Sequence, residues 1–427
     1  MKNYITILAT IFAINLASSQ GTVKGKITDS DGVPIFGATI SFTAENSKEK
    51  KGTISQDDGY FSFKFSEEGD YTIEISYIGM TSLRLQKYFS NNQIHDLKTL
   101  ILQEGVEQLQ LVEILGRVRK DYNSDYSFSA TKTAIKNKEL PQAVSSVTKE
   151  LIEDRIAFQL PEAVKTVSSV SATGIYNHYN IRGITQADDG QMLNGMRTRQ
   201  YYFLQPITSN LERVEVIKGP SSVTFSSADP GGTVNMVTKK PLTEKRNAVG
   251  FTTGSFGTLR ATVDFTGPLN DSKTLLYRFN GAFQEANSFR DVVNNNAILI
   301  SPSFSYVPNE STSLNVEMIY NDAEGNLDRG QPIFGAINGE FDINSTPITR
   351  NVGASNDYYK TKEVIFMANF TQKISKNLGF NAQFMKQTWD EDLAEHRVDG
   401  SAVDIEGNVI PTLARMRYDK RQQFWET

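Results

Sequence analysis

The sequence predicts a mostly β protein: a small β-sandwich, then a compact α+β plug, then the strands of a transmembrane β-barrel, all behind a secretory leader. Three observations predict it. Residues 21–103 alternate apolar and polar in short runs, broken by turn signals about every eight to twelve residues, the spacing of a small sandwich. Residues 211–241 read as two strands around an elaborate turn. Leu211, Val214, Val216 and Ile217 lead into Gly219-Pro220, and Asp229-Pro230-Gly231-Gly232 turns the chain before a second strand from Thr233 to Thr238. From Arg246 onward the strands lengthen, alternate cleanly and show no helical period. A small plug followed by a barrel produces that order of patterns.

Composition narrows the function classes before any motif is read. The chain has 427 residues, a formal net charge of −5 and no cysteine. An acidic balance offers nothing to nucleic acid, and the missing thiols remove disulfides, thiol nucleophiles and thiolate metal sites. Glycine, tyrosine and phenylalanine number 30, 17 and 25, and mean hydropathy is only −0.37. That is too polar for a helical membrane protein and ordinary for a barrel, whose strands give lipid only their alternate, outward residues. Lys2, the apolar core from Ile5 to Ala17 and the small residues Ala17, Ser18 and Ser19 read as a signal peptide over 1–19, cleaved after Ser19. A buried amphipathic helix is the alternative reading of that stretch. As a helix it is too short to span, and no later apolar run reaches the length of about 18 residues that would.

The sandwich is assigned to 20–104. Its strands are Val23 to Ile27, Ala38 to Phe42, Tyr60 to Phe65 and Tyr71 to Tyr77, with turns at Asp31-Gly32, Asp58-Gly59 and Glu68-Gly69-Asp70. Asp29-Ser30-Asp31-Gly32 has a superficial likeness to a calcium loop but lacks the acidic ligand that closes one, so it reads as a hairpin turn. His95, His178 and His396 are the only histidines, and none has a glutamate at the H-E-x-x-H spacing. No resident metal or cofactor is expected. Neither a nucleophile elbow, nor a phosphate loop, nor a paired acid stands out, so the chain is not read as an enzyme and no catalytic residue is assigned.

A polar linker follows over 105–125. Within it Leu111-Val112-Glu113-Ile114-Leu115 is a short apolar strand, flanked by Gln108 and Gln110 on one side and Arg117, Arg119 and Lys120 on the other. It is the last strand of the sandwich, the first of the plug, or a segment that adds to another protein's sheet through its backbone. The plug is assigned to 126–242. Leu140 to Thr148 enters extended, and Lys149 to Arg155 and Pro161 to Thr166 read as short helices. The barrel part covers 243–427. Leu314, Val316, Met318 and Tyr320 alternate with Ser313, Asn315 and Glu317, while Leu259, Ala261, Val263 and Phe265 alternate with Arg260, Thr262 and Asp264. Phe380, Ala382 and Phe384 repeat the pattern. One face suits lipid and the other water. Short turns at 267–272, 307–311 and 373–377 alternate with longer polar connections at 287–296, 322–359 and 390–413. That asymmetry fits short periplasmic turns and long outer loops.

Leu211 to Pro241 also resembles the plug signature of TonB-dependent outer-membrane receptors, in particular the siderophore branch. The matching pieces are Glu212-Arg213-Val214-Glu215-Val216 with Lys218-Gly219-Pro220, then Pro230-Gly231-Gly232, then Val234-Asn235 with Val237-Thr238-Lys239. Upstream, Ile181-Arg182-Gly183 and Leu193-Asn194-Gly195-Met196-Arg197 resemble two further family segments in the same order. One departure is Thr224-Phe225-Ser226, where the family usually carries a glycine. Gly25 to Asp29, Pro34, Gly37-Ala38 and Asp58 to Phe61 make residues 20–104 similar to the carboxypeptidase regulatory-like domain, a prealbumin-like sandwich.

The resemblance implies a 22-stranded barrel, of which about eight strands are legible here, so the chain is expected to be the N-terminal part of a longer receptor. It also implies a multi-pass protein of a Gram-negative outer membrane, embedded in lipid, with its N-terminal domain in the periplasm. Its function would be import of ferric siderophores, energised by TonB and the inner-membrane complex, with the iron carried by the siderophore's own oxygens. By position, Leu111, Val112, Glu113, Ile114 and Leu115 match the TonB box. Arg182 and Lys218 match basic residues that latch the plug to barrel carboxylates, although an ion pair inside the plug, with Glu212 or Glu215, explains them equally. Tyr176, Arg197, Tyr201, Tyr202 and Phe203 match plug loops that touch ligand, where rings and a guanidinium can stack on and hydrogen-bond to a bulky chelate. Ordinary packing is the alternative for each ring. Two other functions stay open: import of an oligosaccharide or cobalamin, and a secreted β-rich adhesion or signalling module.

Overall fold

The computed structural model describes residues 21–30, 32–45, 50–77, 80–103, 122, 124, 127, 137–173, 177–186, 190–199, 205–220, 229–309, 311–330, 347–351, 353–375, 378–403, 405–406 and 409–426. The chain divides into two compact units, Met1–Val112 and Glu113–Thr427. The expected signal peptide lies outside the described residues.

The first unit is a two-sheet sandwich. Its strands are β1 (Gly21–Thr28), β2 (Thr39–Ala44), β3 (Lys50–Ile54), β4 (Tyr60–Phe65), β5 (Gly69–Ser76), β6 (Leu83–Phe89) and β7 (Ile94–Ile101). One sheet runs β4-β1-β7 and the other β3-β2-β5-β6. Val23 and Ile27 from the first meet Ile40, Phe42, Ile73 and Ile75 from the second, all buried. Burying one such side chain contributes about 1.5–3 kcal/mol, so period-two alternation holds the domain together. Sequence reading found β1, β2, β4 and β5 and missed β3, β6 and β7. All three are edge strands. An edge exposes one rim to water and takes charge there, which blurs alternation. At the first turn, the Asp29 carboxylate accepts from the Val33 amide at 2.8 Å, and Gly32 sits at φ +81°. This is the geometry of a tight turn.

The second unit begins with the plug: β8 (Ala143–Thr148), α1 (Lys149–Asp154), α2 (Leu160–Val164), β9 (Val170–Ala172), β10 (Tyr179–Ile181), β11 (Ile184–Thr185), β12 (Gln191–Leu193), β13 (Met196–Thr198), β14 (Leu211–Lys218) and β15 (Gly232–Thr238). Its main sheet runs β13-β12-β15-β14-β8, with a small β11-β10-β9 sheet beside it. The sequence starts α2 with Pro161 in the first turn and a reciprocal cap, in which Glu162 accepts from the Gln159 amide at 2.9 Å.

A sheet of eight antiparallel strands follows in sequential order: β16 (Arg246–Thr253), β17 (Leu259–Pro268), β18 (Leu275–Asn287), β19 (Asn294–Asn309), β20 (Thr312–Asn326), β21 (Tyr358–Ser375), β22 (Leu378–Val403) and β23 (Val409–Glu426). The alternation read from the sequence is observed: Ser313, Asn315 and Glu317 are buried while Leu314, Met318, Phe366 and Phe384 are about 40% exposed. No described helix is long and apolar enough to cross a membrane. The inner face packs on the plug, with Leu299, Ile319, Ile365 and Met385 of the sheet sharing one core with Val147, Leu160, Val214, Val216 and Val234.

One expectation is corrected. Residues 390–413 are not a long connection: β22 continues to Val403 and β23 starts at Val409, paired in register from Lys386↔Glu426 to Val403↔Val409. Their polarity on both faces hid the alternation. Lys360, Lys362, Asp322 and Glu324 mark the same level on the outer face of β20 and β21, pairing at 3.6 Å in each case. Above an apolar band both faces of a strand can be wet, and the backbone ladder alone sustains it.

Candidate functional site: the plug and its seam with the wall

The glycine motifs are turns and close approaches. Arg182-Gly183 and Asn194-Gly195 are the central pairs of two-residue hairpins, β10–β11 and β12–β13, and all four residues have positive φ (53°, 80°, 51° and 78°). This is the type I′ conformation, which favours Asn or a permissive residue and then glycine. Gly231 and Gly232 serve a different need. A Cβ on Gly231 would lie 2.3 Å from the Ile181 carbonyl oxygen, and one on Gly232 would lie 2.3 Å from that of Ile217. Only glycine lets β15 begin between β10 and β14.

Inside the plug, β14 is buried along its whole length, charges included. Lys149 Nζ reaches Glu212 at 2.6 Å, and Arg213 Nε donates to Glu215 at 2.7 Å. Asn235 donates to the other oxygen of Glu215 at 3.2 Å and accepts from the Gly195 amide at 2.9 Å. These contacts tie β14, β15 and the β12–β13 hairpin into one polar network. Burial pushes the Glu150 carboxyl beside it above the usual range.

The plug joins the wall where β15 ends in Thr238-Lys239-Lys240. Lys239 Nζ lies 3.3 Å from Asp264 of β17, which also takes a two-pronged contact from Arg278 of β18 at 2.8 and 2.7 Å. Arg278 gives its remaining terminal nitrogen to the Lys240 carbonyl at 2.8 Å. Lys240 Nζ sits 3.2 Å from Glu317 of β20, and Thr238 donates its hydroxyl to the same oxygen at 2.7 Å. Burial lowers the pKa of Lys239, and Asp264 opposes the shift. Higher up, the Arg199 amide donates to Gln387 of β22 at 3.2 Å. The seam is therefore polar, buried and spread over four wall strands.

Sequence reading did not pick out Lys239, Lys240, Arg278, Asp264 or Glu317 as a group. It named Arg182 and Lys218 instead, and the structure brings these two together. Arg182 Nη1 lies 3.2 Å from where a Cβ on Gly219 would sit, and Lys218 donates to the Ser168 hydroxyl at 3.0 Å. Burial first, and the Arg182 charge second, lower the Lys218 pKa. Glu212 and Glu215 are already engaged by Lys149 and Arg213. Among the described residues no carboxylate pairs with Arg182 or Lys218. Arg197 is half-buried on β13, across from Met192. Tyr176, Tyr201, Tyr202 and Phe203, the segment Leu111 to Leu115, and Thr224 to Ser226 lie outside the described residues. Among the described residues no group of three or more His, Cys, Asp or Glu could hold a metal ion.

Comparison with known proteins agrees with this architecture. Residues 136–233 match the TonB-dependent Receptor Plug Domain, and residues 22–96 match the Carboxypeptidase regulatory-like domain. The chain is 30% identical over 313 residues to the metal-pseudopaline receptor CntO of Pseudomonas aeruginosa, covering 71% of this chain and 41% of that protein. It is 27% identical over 263 residues to the ferrichrome outer membrane transporter/phage receptor of Escherichia coli, covering 58% of this chain and 35% of that one. The chain thus spans less than half the length of either relative. Its fold superposes on the pyoverdine outer membrane receptor FpvA of Pseudomonas aeruginosa, bound to pyoverdine, with a TM-score of 0.60 at 18% identity, over 71% of this chain and 46% of that one. With its ordered plug motifs, a plug sheet seated on an antiparallel wall and these relatives, the chain carries a plug domain of the TonB-dependent receptor family over residues 136–233 and is similar to those receptors.

Proposed function

We propose that the chain forms the gate and adjoining wall of an outer-membrane importer of ferric siderophores, its N-terminal sandwich in the periplasm and its apolar outer face in lipid. The observation that carries this reading is the unequal attachment of the plug. Its last strand is fastened to the wall by Lys239, Lys240, Asp264, Arg278 and Glu317, whereas its first, β8, is an edge strand that among the described residues pairs with β14 alone. A pull on the linker ahead of β8 would reach an edge strand first. Leu111 to Leu115 is the TonB box in this reading, adding to TonB's sheet through backbone hydrogen bonds. Arg182 and Lys218 are the latch: two cations held side by side favour an anionic contact, and losing it would ease the plug's release. Arg197, Tyr176, Tyr201, Tyr202 and Phe203 face the ligand. Iron travels as cargo in the siderophore's oxygens, so no cofactor of the protein is called for.

Uptake of radiolabelled iron from a panel of ferric siderophores tests this, comparing cells with and without the gene. Loss of uptake for one siderophore class is expected. Deleting Leu111 to Leu115 should abolish that uptake and leave surface binding intact, and unchanged uptake would sink the TonB-box assignment. No difference for any siderophore would favour an oligosaccharide or cobalamin cargo.

A further inference from the structure

The inner face of β20, β21 and β22 carries polar groups that the seam does not use. Along β20, beyond Glu317 and toward the long β20–β21 connection, Asn321 stands directly across from Glu363 of β21. Glu363 stands across from Trp389, and Glu391 lies two residues further along β22 on the same face. Cross-strand neighbours on one face are about 5 Å apart and diagonal ones about 7–8 Å, so Glu363 sits between Asn321 on one side and Glu391 on the other. Asn321, Glu363 and Glu391 are only 3%, 5% and 5% exposed. Yet among the described residues Asn321 Oδ1 and Glu391 Oε2 have no hydrogen-bond partner. Glu363 accepts from the Gln387 amide at 2.7 Å, and no ion pair among the described residues includes either glutamate. Arg421 of β23 stands across from Glu391, and both it and Arg417 bind Asp419 at 2.8 Å.

Buried acceptors are normally satisfied, so an orphan amide oxygen and an orphan carboxylate oxygen beside a second carboxylate mark a place that expects a donor. A ferric chelate's iron-binding oxygens cannot supply it. A protonated amine or a guanidinium has donors only and a compensating charge. We propose that Asn321, Glu363 and Glu391 form a cation subsite of the ligand chamber, which takes an ammonium or guanidinium group carried at the periphery of the ferric chelate. The inference rests on the siderophore reading and narrows its substrate class. Gln387 places the subsite next to the plug: its amide nitrogen holds Glu363 while its oxygen accepts from the Arg199 amide. Occupancy therefore bears on the plug through one side chain.

The test measures binding of iron chelates to outer membranes from cells expressing the native gene. Matched pairs of ferric hydroxamates and ferric catecholates serve as probes, each with a free terminal amine or as its N-acetyl twin. The unmodified receptor should prefer the amine about tenfold, equivalent to one charge-assisted contact. The Glu363→Gln/Glu391→Gln double variant should lose that preference by weakening the amine probe alone, and Asn321→Asp should widen it. An unchanged preference, or equal loss of both twins in the double variant, overturns the subsite. A receptor that binds no chelate of either type overturns the siderophore reading, and the subsite with it.

Discussion

The sandwich and the plug are both assembled from short strands, yet they place charge in opposite ways. In the sandwich, Glu74 of β5 sits at the surface between Lys50 and Arg84, at 3.1 and 3.0 Å. In the plug, β14 buries Glu212, Arg213 and Glu215 completely and meets each with a partner from the plug's own strands and helices. Surface pairs are screened and cost side-chain entropy, so they add little. A buried pair adds little over an apolar substitute but punishes the loss of one member, because the survivor is stranded without water. Charge therefore decorates the sandwich and fixes the register of the plug.

The largest effect expected from this contrast is at Arg213. Arg213→Ala strands Glu215, which is fully buried, and should cost about 3–5 kcal/mol. Denaturant unfolding of the refolded protein would measure it, and a loss below 1 kcal/mol would show that the β14 network is solvated. A middle-sized effect belongs to the seam. Lys240→Met removes the ammonium beside Glu317 and leaves the Thr238 hydroxyl in place, so about 1.5–3 kcal/mol should be lost. Faster protease cleavage between plug and wall would report it. The smallest effect is at Glu74. The hydrogen bond from Lys50, with Arg84 adding to it, holds this carboxyl below the usual range. Unfolded, it takes up its proton at a higher pH than when folded. Its contribution is thus complete above the ordinary carboxylate range and disappears as pH falls through the lowered value. Glu74→Gln should cost under about 1 kcal/mol near neutrality and nothing in strong acid. A pH-independent difference would mean that packing, not charge, is responsible.

Much of the architecture was legible because one physical signal dominates it. A strand with an apolar face outside and plug or water inside tends to alternate, and Ser313 to Met318 does so without exception in the sequence. The glycine motifs were legible for a related reason: positive φ at residues 183 and 195 and close approach at 231 and 232 leave almost no other residue possible. The seam was not legible. Two lysines at the end of a strand look like a solvated stop, and nothing local says that Asp264, Arg278 and Glu317 come from three strands to meet them. One signal was available: Asp264 and Glu317 both fall on the inward phase of their strands, where an isolated acid needs a partner. The upper parts of β22 and β23 failed for the opposite reason. Their alternation is erased where both faces are polar, and only the ladder to a neighbour reveals the strand.

The β12–β13 hairpin carries a consequence for how the protein ages. An asparagine followed by glycine is the pair most prone to lose its side-chain amide, because the glycine nitrogen can attack the neighbouring carbonyl. In the fold that nitrogen is held at Gly195 by the Asn235 side chain at 2.9 Å. The Asn194 amide is itself clamped on Thr238, donating to its hydroxyl at 2.9 Å and accepting from its backbone at 3.0 Å. The same hydrogen bonds that register the hairpin against β15 keep the two reacting atoms apart. Deamidation at Asn194 would therefore act as a clock for time spent unfolded.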